Sequence, residues 1–294
     1  MTQFTQLYPK NSPAFKALVH AQVQAALTED IGSGDLTAML IPENQTAKAV
    51  IIARESAVIC GQAWANACFR LMDNGVEIQW LIEEGTRVEA NQTLCHISGA
   101  ARALLSAERC ALNFLQTLSS TATETRQYVE MVAGTCAQIL DTRKTIPQLR
   151  LAQKYAVSVG GGHNQRLALY DGILIKENHI AAAGGIEQVM QHALRLTTDT
   201  SIQIEVENLT QLSEALAAGA TSILLDNFNH DQLREAVQIN CAAGKKALLE
   251  ASGNITLSNV RQVAKTGVDR ISIGALTKNI KALDLSMRIS EYTC

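Results

Sequence analysis

The chain has 294 residues, 47% hydrophobic and 18% charged, and this composition excludes disordered and fibrous proteins, which are poor in apolar residues or strictly repetitive. The formal net charge is −3 and no block of like charge occurs, so we expect no binding to nucleic acid or to a membrane surface. No basic start precedes an apolar run, and no stretch of about 20 apolar residues occurs, which predicts a soluble, cytoplasmic protein.

The cysteines are odd in number, scattered, and mostly set among apolar neighbours. This distribution fits neither a disulfide framework nor a zinc-binding pattern, and it predicts buried thiols in a reducing compartment. The seven residues are Cys60, Cys68, Cys95, Cys110, Cys136, Cys241 and Cys294.

The first third of the chain predicts a helix followed by a small antiparallel sheet. Ser12 is a helix-capping residue, Pro13 suits the first helical position, and apolar residues follow at helical spacing as far as Leu27. Glycines and acidic residues at 29–35 end this helix. Short β-rich segments separated by turn residues then occur at 47–53, 76–81, 87–88 and 93–97.

Residues 100–132 are rich in helix formers, which predicts helix with a break at Ser119, Ser120 and Thr121. We place a domain boundary in this stretch, near Leu115, which divides the chain into domains 1–115 and 116–294.

The second domain alternates short apolar strands with amphipathic helices. Strands are expected at residues 138–140, 173–175, 202–206, 222–225, 246–249 and 270–273, with a seventh candidate at 156–159. Helices are expected at residues 187–196, 209–218, 232–240 and 257–264. Parallel neighbours need such crossovers, so the pattern predicts a parallel sheet forming an incomplete α/β (TIM-like) barrel of six or seven strands.

Charged residues and glycines follow the predicted strands, and in an α/β barrel the carboxyl ends of the strands form the site. Cations that converge on one edge repel one another unless an anion lies among them, so the pattern indicates a polyanionic ligand. The carboxylates indicate a divalent metal such as Mg²⁺ or sugar hydroxyls, and glycine-containing loops indicate phosphate. The cations are Arg143, Lys144, Arg166 and Lys176; the carboxylates are Glu205, Glu207, Asp226 and Glu250; the loop residues are Ser252, Gly253 and Gly274.

Two other interpretations of this edge stay open. An ion pair such as Arg143 with Glu205 would stabilise the barrel without any ligand. A lysine in a dry pocket would instead form a Schiff base, as in barrel aldolases. The lysines available for this are Lys144, Lys176 and Lys246.

At this point the sequence resembles the quinolinate phosphoribosyltransferase family along nearly its whole length. Several blocks in the right order are specific, whereas one alone would not be. The blocks are EDIGSGDLT (29–37), AERCALN (107–113), DTRKT (141–145), LIKENH (174–179), EVE (205–207), LDN (225–227), EASG (250–253) and SIGALT (272–277).

The resemblance implies an N-terminal α+β sandwich domain, an incomplete α/β barrel and a homodimer in which one subunit's N-terminal domain faces the other's barrel. The implied activity is that of a pentosyltransferase in NAD biosynthesis. Quinolinate reacts with 5-phosphoribosyl 1-pyrophosphate to give nicotinate mononucleotide, pyrophosphate and CO₂. Mg²⁺ accompanies the phosphoribosyl pyrophosphate, and no organic cofactor is needed.

The resemblance also implies roles for individual residues. The cations bind the quinolinate carboxylates and the phosphates, and Arg109 reaches across the dimer. Glu205 and Asp226 hold ribose hydroxyls and Mg²⁺ and stabilise the positive charge that grows at C1. The implied catalytic residues are Lys144, Lys176, Glu205 and Asp226. The implied substrate-binding residues are Arg109, Thr142, Arg143, Lys144, Gln165, Arg166, Lys176, Glu205, Asp226, Ser252, Gly253, Gly274 and Lys278.

Two positions depart from the family pattern. After a triple glycine the family commonly has any residue and then Asn-His-Arg, whereas this chain has His163-Asn164-Gln165-Arg166. Gln165 therefore replaces a histidine and cannot carry a proton's charge, although its amide still donates hydrogen bonds. Lys278 stands where histidine is more common and keeps the ability to bind phosphate.

Two rival functions follow from these departures. A related phosphoribosyltransferase would use another base, such as nicotinate, or act like the family's molybdenum-associated relative. A paralogue would bind quinolinate or phosphoribosyl pyrophosphate as a sensor without turnover. Glu205 and Asp226 favour the enzyme, because a pure binder has less need of groups directed at a developing cation.

Overall fold

A computed structural model of the protein describes residues 4–196 and 200–293. The α-helices in these ranges are α1 (Phe4–Leu7), α2 (Pro13–Ile31), α3 (Gln62–Met72), α4 (Ala101–Met131), α5 (Arg150–Val159), α6 (Glu177–Ala183), α7 (Ile186–Leu196), α8 (Leu209–Ala217), α9 (His230–Ala242), α10 (Val260–Ala264) and α11 (Ala275–Lys278). The strands are β1 (Thr46–Ala53), β2 (Ala57–Val58), β3 (Glu77–Trp80), β4 (Arg87–Val88), β5 (Thr93–Ala100), β6 (Gln138–Leu140), β7 (Gly172–Ile175), β8 (Ser201–Val206), β9 (Ser222–Asp226), β10 (Leu248–Ser252), β11 (Arg270–Ser272) and β12 (Leu285–Thr293).

Helix α2 begins and ends close to the predicted residues. The Ser12 hydroxyl accepts a hydrogen bond from the Phe15 N–H at 3.1 Å, which satisfies a free donor of the first turn, and Pro13 occupies the first helical position. The buried face includes Val19 and Val23. Gly32 has φ +53°, a conformation that glycine adopts at low cost, and its N–H closes the last turn on Thr28.

The N-terminal strands form an antiparallel sheet in the order β12-β1-β5-β3, and β2 and β4 form a separate antiparallel pair. Alternate residues of β1, including Ala47, Ala49 and Ile51, are buried, as expected for a strand with one face against the core. Together with α2 and α3 this sheet confirms the predicted α+β fold.

Helix α4 is continuous, so the predicted break at Ser119, Ser120 and Thr121 is wrong. The Ser119 hydroxyl donates to the Cys60 carbonyl at 3.1 Å and accepts from the Cys60 N–H at 2.9 Å. One turn further on, the Thr123 hydroxyl accepts from the Val58 N–H at 2.8 Å. The hydroxyl groups thus bind β2 and the residues just after it instead of interrupting the helix.

The second sheet is parallel, with six strands in the order β6-β11-β10-β9-β8-β7, and helices separate its consecutive strands along most of the chain. Leu140 also forms a single parallel bridge with His163 beyond β6. These strands and helices confirm the predicted α/β, barrel-like domain.

The predicted seventh strand at 156–159 is wrong, because these residues complete α5. Tyr155 on this helix packs against Phe15 and Trp64 with ring centroids 5.4 Å apart in both pairs. Valine lowers helix stability by less than about 0.7 kcal/mol, so this packing outweighs the strand preference of the valines.

Contacts group the described residues into two units that interleave along the chain. The first unit holds residues 5–124, 147–160 and 279–293; the second holds residues 4, 125–146, 161–196 and 200–278. The first unit includes β12 because this last strand pairs antiparallel with β1. A single boundary near Leu115 stays a prediction.

Four of the cysteines are buried as predicted, but Cys136 and Cys241 are exposed, and Cys294 lies outside the described residues. Burial, together with the nearby Asp30, raises the pKa of the Cys110 thiol to about 11. Within the described ranges, no helix is long and apolar enough to span a membrane.

Candidate active site

The order of the parallel strands places the predicted rim residues side by side along one edge of the sheet. The hydrogen-bonded register pairs Ser252 with Asp226 directly, and Lys176 and Glu205 each follow a paired position of β7 and β8. From β6 to β7 the edge carries Thr142 and Lys144, Gly274, Ser252 and Gly253, Asp226, Glu205 and Lys176.

Lys176 and Glu205 form an ion pair at this edge, with Nζ 2.7 Å from Oε2. The Lys176 side chain is 43% exposed and the Glu205 side chain 12% exposed. The carboxylate is therefore held at the edge by a cation that solvent and ligands still reach.

Gly274 brings the chain close to Lys144. A Cβ at position 274 would lie 3.0 Å from the Lys144 Cδ and 3.6 Å from the Thr142 hydroxyl oxygen. The Thr277 hydroxyl donates to the Lys144 carbonyl at 2.7 Å, and the Thr142 hydroxyl accepts from the Lys144 N–H at 3.0 Å. The bond from Thr277 fixes the loop after β6 against α11, and the bond to Thr142 lies within that loop.

Gly253 has φ +100°, and a Cβ at this position would overlap Oδ1 of Asn227. Asn227 itself has φ +57° and donates from Nδ2 to the Asp226 Oδ2 at 2.8 Å. Position 253 therefore requires glycine, and the close approach connects the β10 loop to the carboxylate of Asp226.

Arg143 and Arg166 are two cations of the second unit that act on each other electrostatically. Among the described residues the Arg143 Nε is buried without a hydrogen-bond partner. Burial lowers the pKa of the Arg166 guanidinium, the positive charge of Arg143 lowers it further, and Asp171 opposes both. A buried donor left unpaired beside a second guanidinium fits an anionic ligand.

Asp141, which the sequence analysis did not select, anchors the segment that carries Arg166. Its buried carboxylate accepts from the Gln165 N–H at 2.9 Å and from the Asn164 Nδ2 at 2.7 Å. Arg166 in turn donates from a guanidinium nitrogen to the Gly172 carbonyl at 2.8 Å.

Glu250 was expected on the rim, but it is fully buried. Its oxygens accept from the Gln165 amide at 2.7 Å each, and Oε2 also accepts from the Gln203 amide at 3.0 Å. Burial raises the pKa of the Glu250 carboxyl, while hydrogen bonds from Gln203 and Gln165 and the charge of Arg270 oppose the rise.

Strand alternation explains these positions. Gln203 shares its face of β8 with Glu205, and Glu250 shares its face of β10 with Ser252, one step below the edge. The intervening residues belong to the apolar core, for example Ile204 in β8. Alternation counted back from the rim would have predicted the lower layer.

Three further predicted residues are exposed. Arg109 is exposed on α4 in the first unit, and Lys278 is exposed at the end of α11 in the second. The rim carboxylate Glu207 is exposed beyond β8. The contact of these residues with substrate stays a prediction.

Over the described part of the chain no group of three or more His, Cys, Asp or Glu side chains is arranged to hold a metal ion. Glu205 and Asp226 are two carboxylates at neighbouring strand ends. Such a donor set fits Mg²⁺ that arrives with a phosphorylated substrate, because Mg²⁺ keeps waters and substrate oxygens among its ligands.

A parallel α/β barrel-like sheet whose edge carries cations, two carboxylates and glycine loops defines an enzyme that acts on phosphorylated substrates. Comparison with known proteins narrows this class. Residues 35–119 match the N-terminal domain and residues 121–288 the C-terminal domain of quinolinate phosphoribosyl transferase. The chain belongs to the quinolinate phosphoribosyl transferase family.

Individual relatives cover almost the whole chain. The solved structure of nicotinate-nucleotide pyrophosphorylase from Francisella tularensis is 43% identical, covers 99% of this chain and 100% of that one, and has a TM-score of 0.92. A probable nicotinate-nucleotide pyrophosphorylase (carboxylating) of Bacillus subtilis is 41% identical over 92% of this chain and 94% of its own. A quinolinate phosphoribosyltransferase (decarboxylating) of Nicotiana tabacum is 36% identical over 91% and 81%.

Proposed function

We propose that this chain converts quinolinate and 5-phosphoribosyl 1-pyrophosphate into nicotinate mononucleotide, pyrophosphate and CO₂, as a cytoplasmic step of de novo NAD synthesis. The observation that carries the proposal is the unpaired, buried Nε of Arg143 beside Arg166. Two guanidinium groups match a dicarboxylate, since each offers a planar fork to one carboxylate. Membership of the quinolinate phosphoribosyl transferase family independently favours quinolinate as the substrate.

The binding roles divide along the edge of the sheet. Arg143, Arg166 and Lys176 bind the quinolinate carboxylates, with Gln165 beside Arg166 and Thr142 and Lys144 next to them. Ser252, Gly253, Gly274 and Lys278 bind phosphate through the loops after β10 and β11. This division follows the observed strand order, in which the phosphate loops lie between the cations of β6 and the carboxylates of β9 and β8.

Phosphoribosyl transfer exchanges one bond for another at C1 of the ribose. The lone pair of the quinolinate nitrogen forms the new N–C1 bond as the C1–O bond breaks, and the electron pair of the C1–O bond leaves with pyrophosphate. Mg²⁺ held at Glu205 and Asp226 would neutralise part of the pyrophosphate charge. Glu205 and Asp226 hold the ribose hydroxyls and stabilise the positive charge that grows at C1. Lys176 orients Glu205 through their ion pair and, with Lys144, neutralises substrate anions.

Decarboxylation then follows without an organic cofactor. The bond from C2 to its carboxylate breaks, CO₂ leaves, and the electron pair remains at C2, where the adjacent pyridinium nitrogen stabilises it until C2 takes up a proton. The protein contributes orientation of the dicarboxylate and exclusion of water.

We also propose a homodimer in which Arg109 completes the site of the partner subunit. Arg109 is exposed on α4, so its guanidinium is free to bind an anion outside its own helix.

Quinolinate and nicotinate, assayed side by side with phosphoribosyl pyrophosphate and Mg²⁺, test the proposal. We expect quinolinate to have the higher kcat/KM, because nicotinate lacks the second carboxylate. Arg143→Lys keeps the charge but loses the fork, and it should raise the quinolinate KM by about tenfold or more. Arg234→Lys on the exposed face of α9 is the matched control.

Three results would count against quinolinate as the substrate. Preference for nicotinate would favour the related transferase, and tight quinolinate binding without turnover would favour a sensor. Covalent trapping of a lysine by borohydride would favour the aldolase.

A further inference from the structure

The layer beneath the rim contains a set of side-chain hydrogen bonds around Glu250. Glu250 is 0% exposed, and both of its oxygens accept from Nε2 of Gln165 at 2.7 Å. Gln203, also buried, donates from Nε2 to the same carboxylate at 3.0 Å. A buried carboxylate needs several donors, and these two amides supply them.

These bonds fix the conformation of Gln165. Its Nε2 also donates to the Gln203 Oε1 at 3.0 Å, so both amide hydrogens are directed into the layer. Its Oε1 accepts from the backbone N–H of Arg166 at 3.2 Å. Both ends of this side-chain amide are therefore bonded within the protein.

The same set of hydrogen bonds includes the backbone of Arg166. The Arg166 backbone N–H is held by Gln165, and its guanidinium donates to the Gly172 carbonyl at 2.8 Å. Gln165, Arg166, Gly172 and Gln203 line one cavity of about 160 Å³. Glu250 is thus connected through Gln165 to the backbone of Arg166, whose guanidinium is held at Gly172, the first residue of β7.

We propose that Glu250 and Gln203 are positioning residues for quinolinate, acting through Gln165 on Arg166. The inference rests on the proposed function, because it assigns Arg166 to a quinolinate carboxylate. Gln165 then serves chiefly as a link between Glu250 and Arg166, which explains how a side chain that cannot be protonated occupies this position. Phosphoribosyl pyrophosphate, which binds along other strand ends, depends less on this layer.

Glu250→Gln is the direct test, since it removes the charge while keeping the shape. Without a charged acceptor at position 250, the hydrogen bonds that orient Gln165 are weaker. We therefore expect the quinolinate KM to rise about tenfold, while the phosphoribosyl pyrophosphate KM changes less than about twofold. Glu235→Gln on the exposed face of α9 is the matched control and should change neither KM.

Gln203→Met is the second variant, and it keeps the Glu250 carboxylate. It tests the proposal if Glu250→Gln does not fold. It removes one donor from Glu250 and one acceptor from Gln165, so it should raise the quinolinate KM selectively by a smaller factor. Thermal unfolding and circular dichroism establish that each variant is folded.

The outcomes separate the two proposals. A wild-type protein inactive with quinolinate would refute the proposed function. An active wild type with a folded Glu250→Gln or Gln203→Met variant whose two KM values stay unchanged, or rise equally, would overturn the positioning role. A selective rise of the quinolinate KM supports it.

Discussion

Gly253 shows how one residue at the site is constrained by both backbone and neighbour. Its φ of +100° disfavours any side chain, and a Cβ would meet Asn227, which is bonded to Asp226. Gly134 has a comparable φ of +80° but nothing within 4 Å of its missing Cβ. A comparison of alanine substitutions at positions 253 and 134 therefore separates the effect of backbone strain from that of steric overlap.

Gly253→Ala should lower the free energy of unfolding by about 1–3 kcal/mol and raise the KM for phosphoribosyl pyrophosphate, because the phosphate loop and Asp226 are displaced together. Gly134→Ala should cost about 1–2 kcal/mol and leave the KM unchanged. Urea unfolding and steady-state kinetics measure both quantities. Equal KM values for the two variants would show that position 253 does not shape the phosphate site.

Asp35 gives a residue-level prediction about pH. Its Oδ1 accepts from the N–H groups of Thr37 and Ala38 at 2.9 Å each, and Oδ2 accepts from the Ser106 hydroxyl at 2.7 Å. The bonds from Ala38 and Ser106 lower the pKa of Asp35 below its ordinary value. The folded protein then binds the proton less readily than the unfolded chain, so Asp35 stabilises the fold above the unfolded pKa of about 3.9 and loses this effect as pH falls.

Asp35→Asn should therefore cost about 1 kcal/mol of unfolding free energy at pH 7 and progressively less below about pH 4. Urea unfolding of both proteins at pH 7 and pH 3 measures the difference. A difference that is the same at the two pH values would exclude the ionised carboxylate as its cause.

Most elements were predictable because strand and helix alternate with clear turn residues. The two errors share a cause: Ser119 and the valines around 157 carry local preferences that packing overrides. In the site, the polar residues that follow the strands were predictable. Gln203 was missed and Glu250 was placed on the rim instead of beneath it, because polar side chains inside a barrel leave no turn or glycine signal. Only their alternation with rim residues marks them.

The hydrogen bonds between α4 and the segment at residues 58–60 yield a test at the level of elements. Ser119→Ala leaves the buried N–H and carbonyl of Cys60 without this partner, and we expect a loss of about 1–3 kcal/mol in unfolding free energy although alanine favours helix. Gln127→Ala on the exposed face of α4 should change stability by less than about 0.5 kcal/mol. Stabilisation by Ser119→Ala would mean that helix propensity dominates at this position.

For the whole molecule, the chain returns at its end to the first unit, since β12 pairs with β1. Arg109 lies in this unit, whereas Lys144 lies in the second. The proposed homodimer predicts that a site takes Arg109 from one subunit and Lys144 from the other.

Subunit mixing tests this arrangement. Arg109→Ala and Lys144→Ala should each be inactive. An equal mixture of the two variants should regain roughly a quarter of wild-type activity after exchange, because half of its dimers are mixed and each of these holds one intact site of two. Differently tagged subunits show whether exchange has occurred. Exchange without any return of activity would rule out a shared site.

The central claim, that this chain couples phosphoribosyl transfer to loss of the C2 carboxylate, is tested most directly by stoichiometry. Quinolinate labelled in its C2 carboxylate is incubated with the protein, phosphoribosyl pyrophosphate and Mg²⁺, and labelled CO₂ and nicotinate mononucleotide are measured in the same sample. We predict equal amounts of the two products, and neither product when phosphoribosyl pyrophosphate is omitted. Mononucleotide formed without labelled CO₂, or CO₂ released without phosphoribosyl pyrophosphate, would contradict the account.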